Sequence, residues 1–169
     1  AGRMDVLVED VPLSDTVSTL SRFFKPVSEQ KQLAFQVQLD PTLPPSVPTD
    51  AVRQQQVLRN LLSNAYKYSN GGAVEVRLLA PRAGKVGLQV EDHGIGMTPE
   101  QLARVFERFF RADSSGNVPG TGLGMSIVKE IVELHAGSVT VDSAPERGTT
   151  VTLWLPLAPQ AVAAAAQQA

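Results

Sequence analysis

Leu58-Arg59-Asn60-Leu61-Leu62-Ser63-Asn64-Ala65-Tyr66-Lys67-Tyr68-Ser69 lies in a strongly periodic stretch of the chain. At about 100° per residue, Val57, Leu58, Leu61, Leu62 and Ala65 share one apolar face. Asn60, Asn64 and Lys67 recur at i, i+4 and i+7 as a narrow polar stripe beside it. The pattern predicts a helix N-capped by Asp50, running to about Tyr68 and closed by the turn Asn70-Gly71-Gly72. A solvated helix face would account for such a stripe. Two asparagines cost helix propensity, however, where Glu or Lys would serve solubility better. An amide oxygen is a hard, neutral ligand suited to Mg²⁺, and a nearby lysine suits phosphate oxygens.

Downstream, Val74 to Leu78 and Val86 to Val90 read as a hairpin joined through Pro81 to Gly84. The second strand runs into Asp92-His93-Gly94-Ile95-Gly96-Met97. Glycines spaced by two let backbone pass close to a planar ligand, with Ile95 and Met97 available to pack on its faces. A carboxylate at Asp92 would accept from the exocyclic amine of adenine and repel the carbonyl of guanine. A strand-ending turn is the plainer alternative. Pro99 to about Phe106 reads as a helix, and Phe106-Glu107-Arg108-Phe109-Phe110-Arg111 leads into an irregular stretch to Gly122, long enough for a lid. Gly120-Thr121-Gly122-Leu123-Gly124-Met125 then opens a helix ending at His135, before Ala136-Gly137. Three glycines ahead of a helix N-terminus offer backbone N–H groups and the positive dipole end to phosphate. Neither a P-loop nor a dinucleotide fingerprint is present, since no G-x-x-x-x-G-K-[ST] occurs and Met125 stands where G-x-G-x-x-G needs its last glycine. Ser138 to Asp142 and Thr149 to Leu155 finish as strands around a Glu146-Arg147-Gly148 turn.

Upstream the pattern is looser. Val6 to Val8 suggests a short strand. Ser14 or Asp15 can cap a helix towards Gln30, with Val17, Leu20, Phe23, Phe24 and Val27 as its apolar face and Pro26 kinking it or ending its regular part. Leu33 to Leu39 alternates as a half-buried strand, and the proline-rich 41–48 stretch reads as a loop. Together the elements imply an α/β fold, a mixed sheet covered by helices on one face. Residues 1–5 read as the end of a linker, 6–157 as one domain, and the Ala/Gln-rich 158–169 as a frayed tail.

The 169 residues fit a single domain with one core. Formal net charge is −2, so no broad field favours nucleic acid or an anionic membrane. No cysteine is present, which removes disulfides, thiolate catalysis and cysteine-ligated zinc. The chain reads as cytosolic, without membrane contact of its own. A longer parent protein can still be membrane-anchored.

Taken in order, these four segments resemble the N, G1, F and G2 boxes of histidine kinases, within the Bergerat-fold (GHKL) ATP-binding superfamily. The similarity is close from Asp50 to Pro156 and weaker from Val6 onward. It implies a two-layer α/β sandwich, about five strands on three helices, binding ATP with Mg²⁺. By position, Asn64 resembles the Mg²⁺ ligand, Asn60 lies beside it, and Lys67 reaches phosphate oxygens. Tyr68 and the Phe106 segment would line the nucleotide site, and Asp92 and Thr149 would support adenine recognition. Gly94 and Gly96 would admit the base between Ile95 and Met97. Gly120, Thr121, Gly122, Leu123 and Gly124 would shape the triphosphate side and hinge the lid.

The implied reaction is transfer of the ATP γ-phosphoryl group to a histidine on a separate dimerisation domain, then relay to a response-regulator aspartate. His93 and His135 are the only histidines, and neither sits in the H-E-or-D setting of that acceptor. Dimerisation belongs to the other domain, so this chain is expected to be a monomer and its parent a homodimer. Two alternatives stand beside the kinase. A non-catalytic nucleotide-binding module would bind without transferring. An ATPase of the same superfamily, like gyrase B, Hsp90 or MutL, carries a glutamate where Asn60 stands, and an amide cannot serve as a general base.

Overall fold

The computed structural model describes residues 7–69, 71–108, 110 and 124–156. Asp50 starts the asparagine-bearing helix α2 (Ala51–Tyr68): its Oδ1 accepts the Arg53 N–H at 3.0 Å, and Oδ2 accepts the Leu7 N–H at 2.9 Å. One buried side chain therefore caps α2 and ties down the incoming chain. The apolar face read from the sequence is buried: Leu58 and Leu62 are inaccessible, and Val57, Leu61 and Ala65 nearly so.

Two helices flank α2 on the same side of the sheet. α1 (Leu13–Lys31) buries Leu13, Thr16, Leu20 and Phe24. Its N-cap is Pro12, with no side-chain cap, rather than Ser14 or Asp15. The helix runs unbroken through Pro26, which is exposed, so the carbonyl left unpaired one turn earlier is open to water. Phe23, expected on the apolar face, is 45% exposed and lies under the Arg59 guanidinium at 3.8 Å. α4 (Gly124–Leu134) packs on the other flank of α2 through Val128, Ile131 and Val132.

The main sheet has five strands in the order β2 (Ala34–Leu39), β4 (Ala73–Arg82), β5 (Lys85–Asp92), β7 (Gly148–Pro156), β6 (Ser138–Ala144). β2 and β4 run parallel and the other pairs antiparallel, so the sheet is mixed. Val74, Val76, Val90, Val151 and Leu153 face the helices and meet α2 in the core.

Three local expectations change. Leu7 and Val8, expected in a strand, lie outside one, and the first strand among the described residues is β1 (Glu9–Pro12). It pairs antiparallel with β3 (Ser46–Thr49), inside the stretch read as a proline-rich loop. Proline is tolerated there because this two-stranded sheet is all edge. The helix after the hairpin is only α3 (Pro99–Leu102), closed into a capping box by Thr98 and Gln101, and 103–106 form turns.

Candidate functional site

A cavity of about 380 Å³ opens between α2, the sheet and the N-terminus of α4. Its α2 wall carries Asn60, Asn64, Lys67 and Tyr68. The i, i+4, i+7 spacing places the three stripe residues on one side of the helix, next to its buried face. Gly124 opens α4 directly across from them. A side chain at Gly124 would meet Asn60 and Asn64 only at 3.9 Å, so the bare backbone leaves room beside both amides.

The sheet wall carries Asp92 and Thr149, which are register partners across β5 and β7. Asp92 is 9% exposed, and its Oδ1 accepts the Gly94 N–H at 2.9 Å. Burial pushes the carboxyl up to about 6, against the pull of the Gly94 and Thr149 N–H groups. Apolar side chains of Val90, Val141, Val151, Leu61, Ala65 and Met125 complete the interior. A mostly apolar slot with a few polar groups is the usual form of a site for a flat heterocycle.

The 93–97 loop forms one rim, with Ile95, Gly96 and Met97 on the cavity. It is fastened at three points: Ile95 N–H to the Tyr68 carbonyl (3.2 Å), Glu146 N–H to the Ile95 carbonyl (2.7 Å), and Met97 N–H to Ser143 Oγ (2.9 Å). Its glycines answer to protein backbone. A Cβ on Gly94 would stand 2.3 Å from the Tyr68 carbonyl oxygen, and Gly94 does not itself line the cavity. Gly96 has φ +66°, and its Cβ would stand 1.9 Å from the Ala144 carbonyl oxygen. Gly96→Ala is therefore expected to destabilise the domain by about 3 kcal/mol or more, from left-handed backbone plus a clash that backbone cannot relieve. Urea denaturation checks this, and an unchanged midpoint would contradict the fit.

Phe106 does not line the cavity; its ring lies under Lys129 at 5.3 Å. Among the described residues around it, Val105 and Phe110 do. Helical spacing had extended through Phe106, whereas the chain turns after Leu102 and presents different side chains. Gly120, Thr121, Gly122 and Leu123 lie outside the described residues, as do 1–6 and 157–169. Neither histidine reaches the cavity. His93 is about half exposed near Glu91, and His135 is buried behind α4, its Nδ1 donating to the Ile131 carbonyl at 2.8 Å. The residue that sequence reading missed is Ser143, whose Oγ lies 2.9 Å from Met97 N, the Gly148 carbonyl and Thr149 Oγ1. A serine in a short strand carries no signal until the register β6–β7 sets it opposite Thr149.

Among the described residues no three His, Asp or Glu side chains cluster as a metal site, and no helix is long and apolar enough to cross a membrane. Residues 49–159 match the family model described as histidine kinase-, DNA gyrase B-, and HSP90-like ATPase. The sequence is 32% identical over 163 residues to the autoinducer 2 sensor kinase/phosphatase LuxQ of Vibrio vulnificus (strain CMCP6), covering 92% of this chain and 19% of that protein. The chain thus spans about a fifth of that curated relative's length. The fold is similar to full-length ShkA in complex with AMPPNP, at TM-score 0.83 and 26% identity over 94% of this chain and 33% of that one. It is also similar to the mycobacterial sensor histidine kinase MprB, at TM-score 0.72 and 33% identity over 89% of this chain and 97% of that one.

Proposed function

Because the chain belongs to the histidine kinase-, DNA gyrase B- and HSP90-like ATPase family, we propose that it is the ATP-binding catalytic domain of a two-component sensor histidine kinase. The observation that carries this reading is the make-up of the cavity wall. Asn60, Asn64 and Lys67 share the α2 side, and Asp92 is the single carboxylate among the described lining residues. Asp92 has a raised pKa, yet it sits on the sheet with Oδ1 already bonded to Gly94. No group on the α2 side can take a proton from water at neutral pH, which disfavours hydrolysis as the main reaction. Phosphoryl transfer to a histidine supplied from outside asks for positioning and charge neutralisation instead.

In this reading the adenine amine donates to Asp92, with Thr149 beside it, and Ile95 and Met97 pack on the base. Lys67 attracts phosphate oxygens, and the N-terminal end of α4, the positive end of its dipole, faces them. The site fits Mg²⁺ carried by the nucleotide: two neutral amides one helical turn apart face open space at Gly124, and phosphates and water would fill the other positions. Asn64 would hold the ion, with Asn60 next to it. Bound there, Mg²⁺ would neutralise charge on the phosphates. Gly120, Thr121, Gly122 and Leu123 would complete the triphosphate side.

The acceptor histidine belongs to a dimerisation domain of the same parent protein, and a response-regulator aspartate receives the phosphoryl group from it. The parent would be a homodimer, with this domain a cytoplasmic monomer-like unit. Incubation of the chain with radiolabelled ATP and the acceptor domain of its own parent should label that domain, with little phosphate released when the acceptor is omitted. Release without acceptor at a rate comparable to transfer would favour an ATPase. Nucleotide binding without labelling would favour a regulatory module.

A further inference from the structure

Asp92 on β5, Thr149 on β7 and Ser143 on β6 form one cross-strand row. Directly opposed residues share a face of the sheet, so the three polar side chains stand side by side, with Asp92 and Thr149 on the cavity and Ser143 behind. Ser143 Oγ lies 2.9 Å from each of three partners, and their chemistry fixes where the protons are. Met97 N–H can only donate, so it occupies one lone pair of Oγ. The Gly148 carbonyl can only accept, so it takes the single Ser143 proton. A hydroxyl has one proton and two lone pairs. The remaining contact is therefore Thr149 Oγ1 donating to Ser143.

We infer that Ser143 is a specificity-determining positioning residue: by holding the Thr149 proton it makes Thr149 a pure acceptor towards the cavity. With Asp92 alongside, the sheet wall then presents two acceptors in a row. That pair suits a ring amine, which carries two N–H groups, and rejects a carbonyl at the same ring position. The inference rests on the nucleotide reading and adds to it a second acceptor whose polarity is set by a residue that never touches the base. Without Ser143, the Thr149 hydroxyl is free to turn its proton into the cavity and donate to a carbonyl.

The test compares the affinities of the chain for ADP and for IDP. These differ by amine against carbonyl at one ring position and by a proton on the neighbouring ring nitrogen, the second difference being the same for every variant. Ser143→Ala should lower the preference for ADP over IDP by about tenfold, the size of one hydrogen bond reversed in a buried site. Ser143→Thr keeps the hydroxyl and should keep the preference. A variant that merely loosened the β6–β7 hairpin would weaken both nucleotides together and leave the ratio alone, so an unchanged ratio in Ser143→Ala overturns the inference. If that variant does not fold, Thr149→Val serves in its place: it removes the second acceptor and should reduce the ratio, and an unchanged ratio there overturns the inference equally. Failure of the unaltered chain to bind either nucleotide would remove the nucleotide reading itself, a result distinct from an unchanged ratio.

Discussion

Asn64→Ala is expected to reduce phosphoryl transfer to the acceptor domain by more than about 100-fold, the scale on which loss of one preorganised electrostatic contact acts. The domain should stay folded. Asn64 is half-buried on the cavity side of α2 and contributes nothing to the core, and alanine is the better helix former. The effect should appear chiefly in kcat, because charge neutralisation matters most as the transferring group loosens. A second readout is independent of transfer: the gain in ADP affinity on adding Mg²⁺ should shrink in the variant. Transfer within a few-fold of the unaltered chain, with circular dichroism and urea midpoint preserved, would remove Asn64 from the metal site.

Asp92→Asn is expected to move stability and affinity in opposite directions. The amide keeps an oxygen for the Gly94 N–H but replaces the other acceptor with a donor facing the adenine amine. ATP-analogue affinity should fall by about 1–3 kcal/mol, roughly 5- to 150-fold. Stability behaves differently. Burial raises the native carboxyl from 3.8 to about 6, so between those values the folded state keeps a proton that the unfolded chain has released. The contribution of this group is fully present below the unfolded value and is lost as pH rises to the folded one; above about 6 the buried carboxylate is a standing cost, on the order of 3 kcal/mol at most. The variant should accordingly gain stability at pH 8 and not at pH 4, measured by urea denaturation at both. In the unaltered chain, nucleotide affinity should fall as pH drops through about 6, because the protonated acid no longer accepts from the amine. Equal stability at both pH values would contradict the assigned burial, and unchanged affinity would mean that Asp92 does not face the base.

The central frame was legible because its signals are local and strong. Asp50, the α2 periodicity and the alternation of Val74 to Val90 each specify one element without help from the rest of the fold. The N-terminal strand and β3 were misplaced because short, proline-bearing edge segments carry little alternation, and only their mutual pairing makes them strands. The helix was read on to about Phe106, and the turns after Leu102 bring Val105 and Phe110, not Phe106, to the cavity. Gly94 and Gly96 were read as room for a ligand; Gly96 lies on the cavity and Gly94 does not, and the Tyr68 and Ala144 carbonyls occupy the space a side chain at either position would need. Ser143 became visible only through strand register, a property that one strand's sequence does not encode.

A calorimetric titration of the chain with ADP and a non-hydrolysable ATP analogue, with and without Mg²⁺ and against a GTP analogue, addresses the adenine-nucleotide site most directly. Binding of the adenine nucleotides between roughly micromolar and millimolar, about −8 to −4 kcal/mol, strengthened by Mg²⁺ and absent for the guanine analogue, is the predicted result. No heat from either adenine nucleotide at millimolar concentration, or equal binding of the guanine analogue, would contradict it.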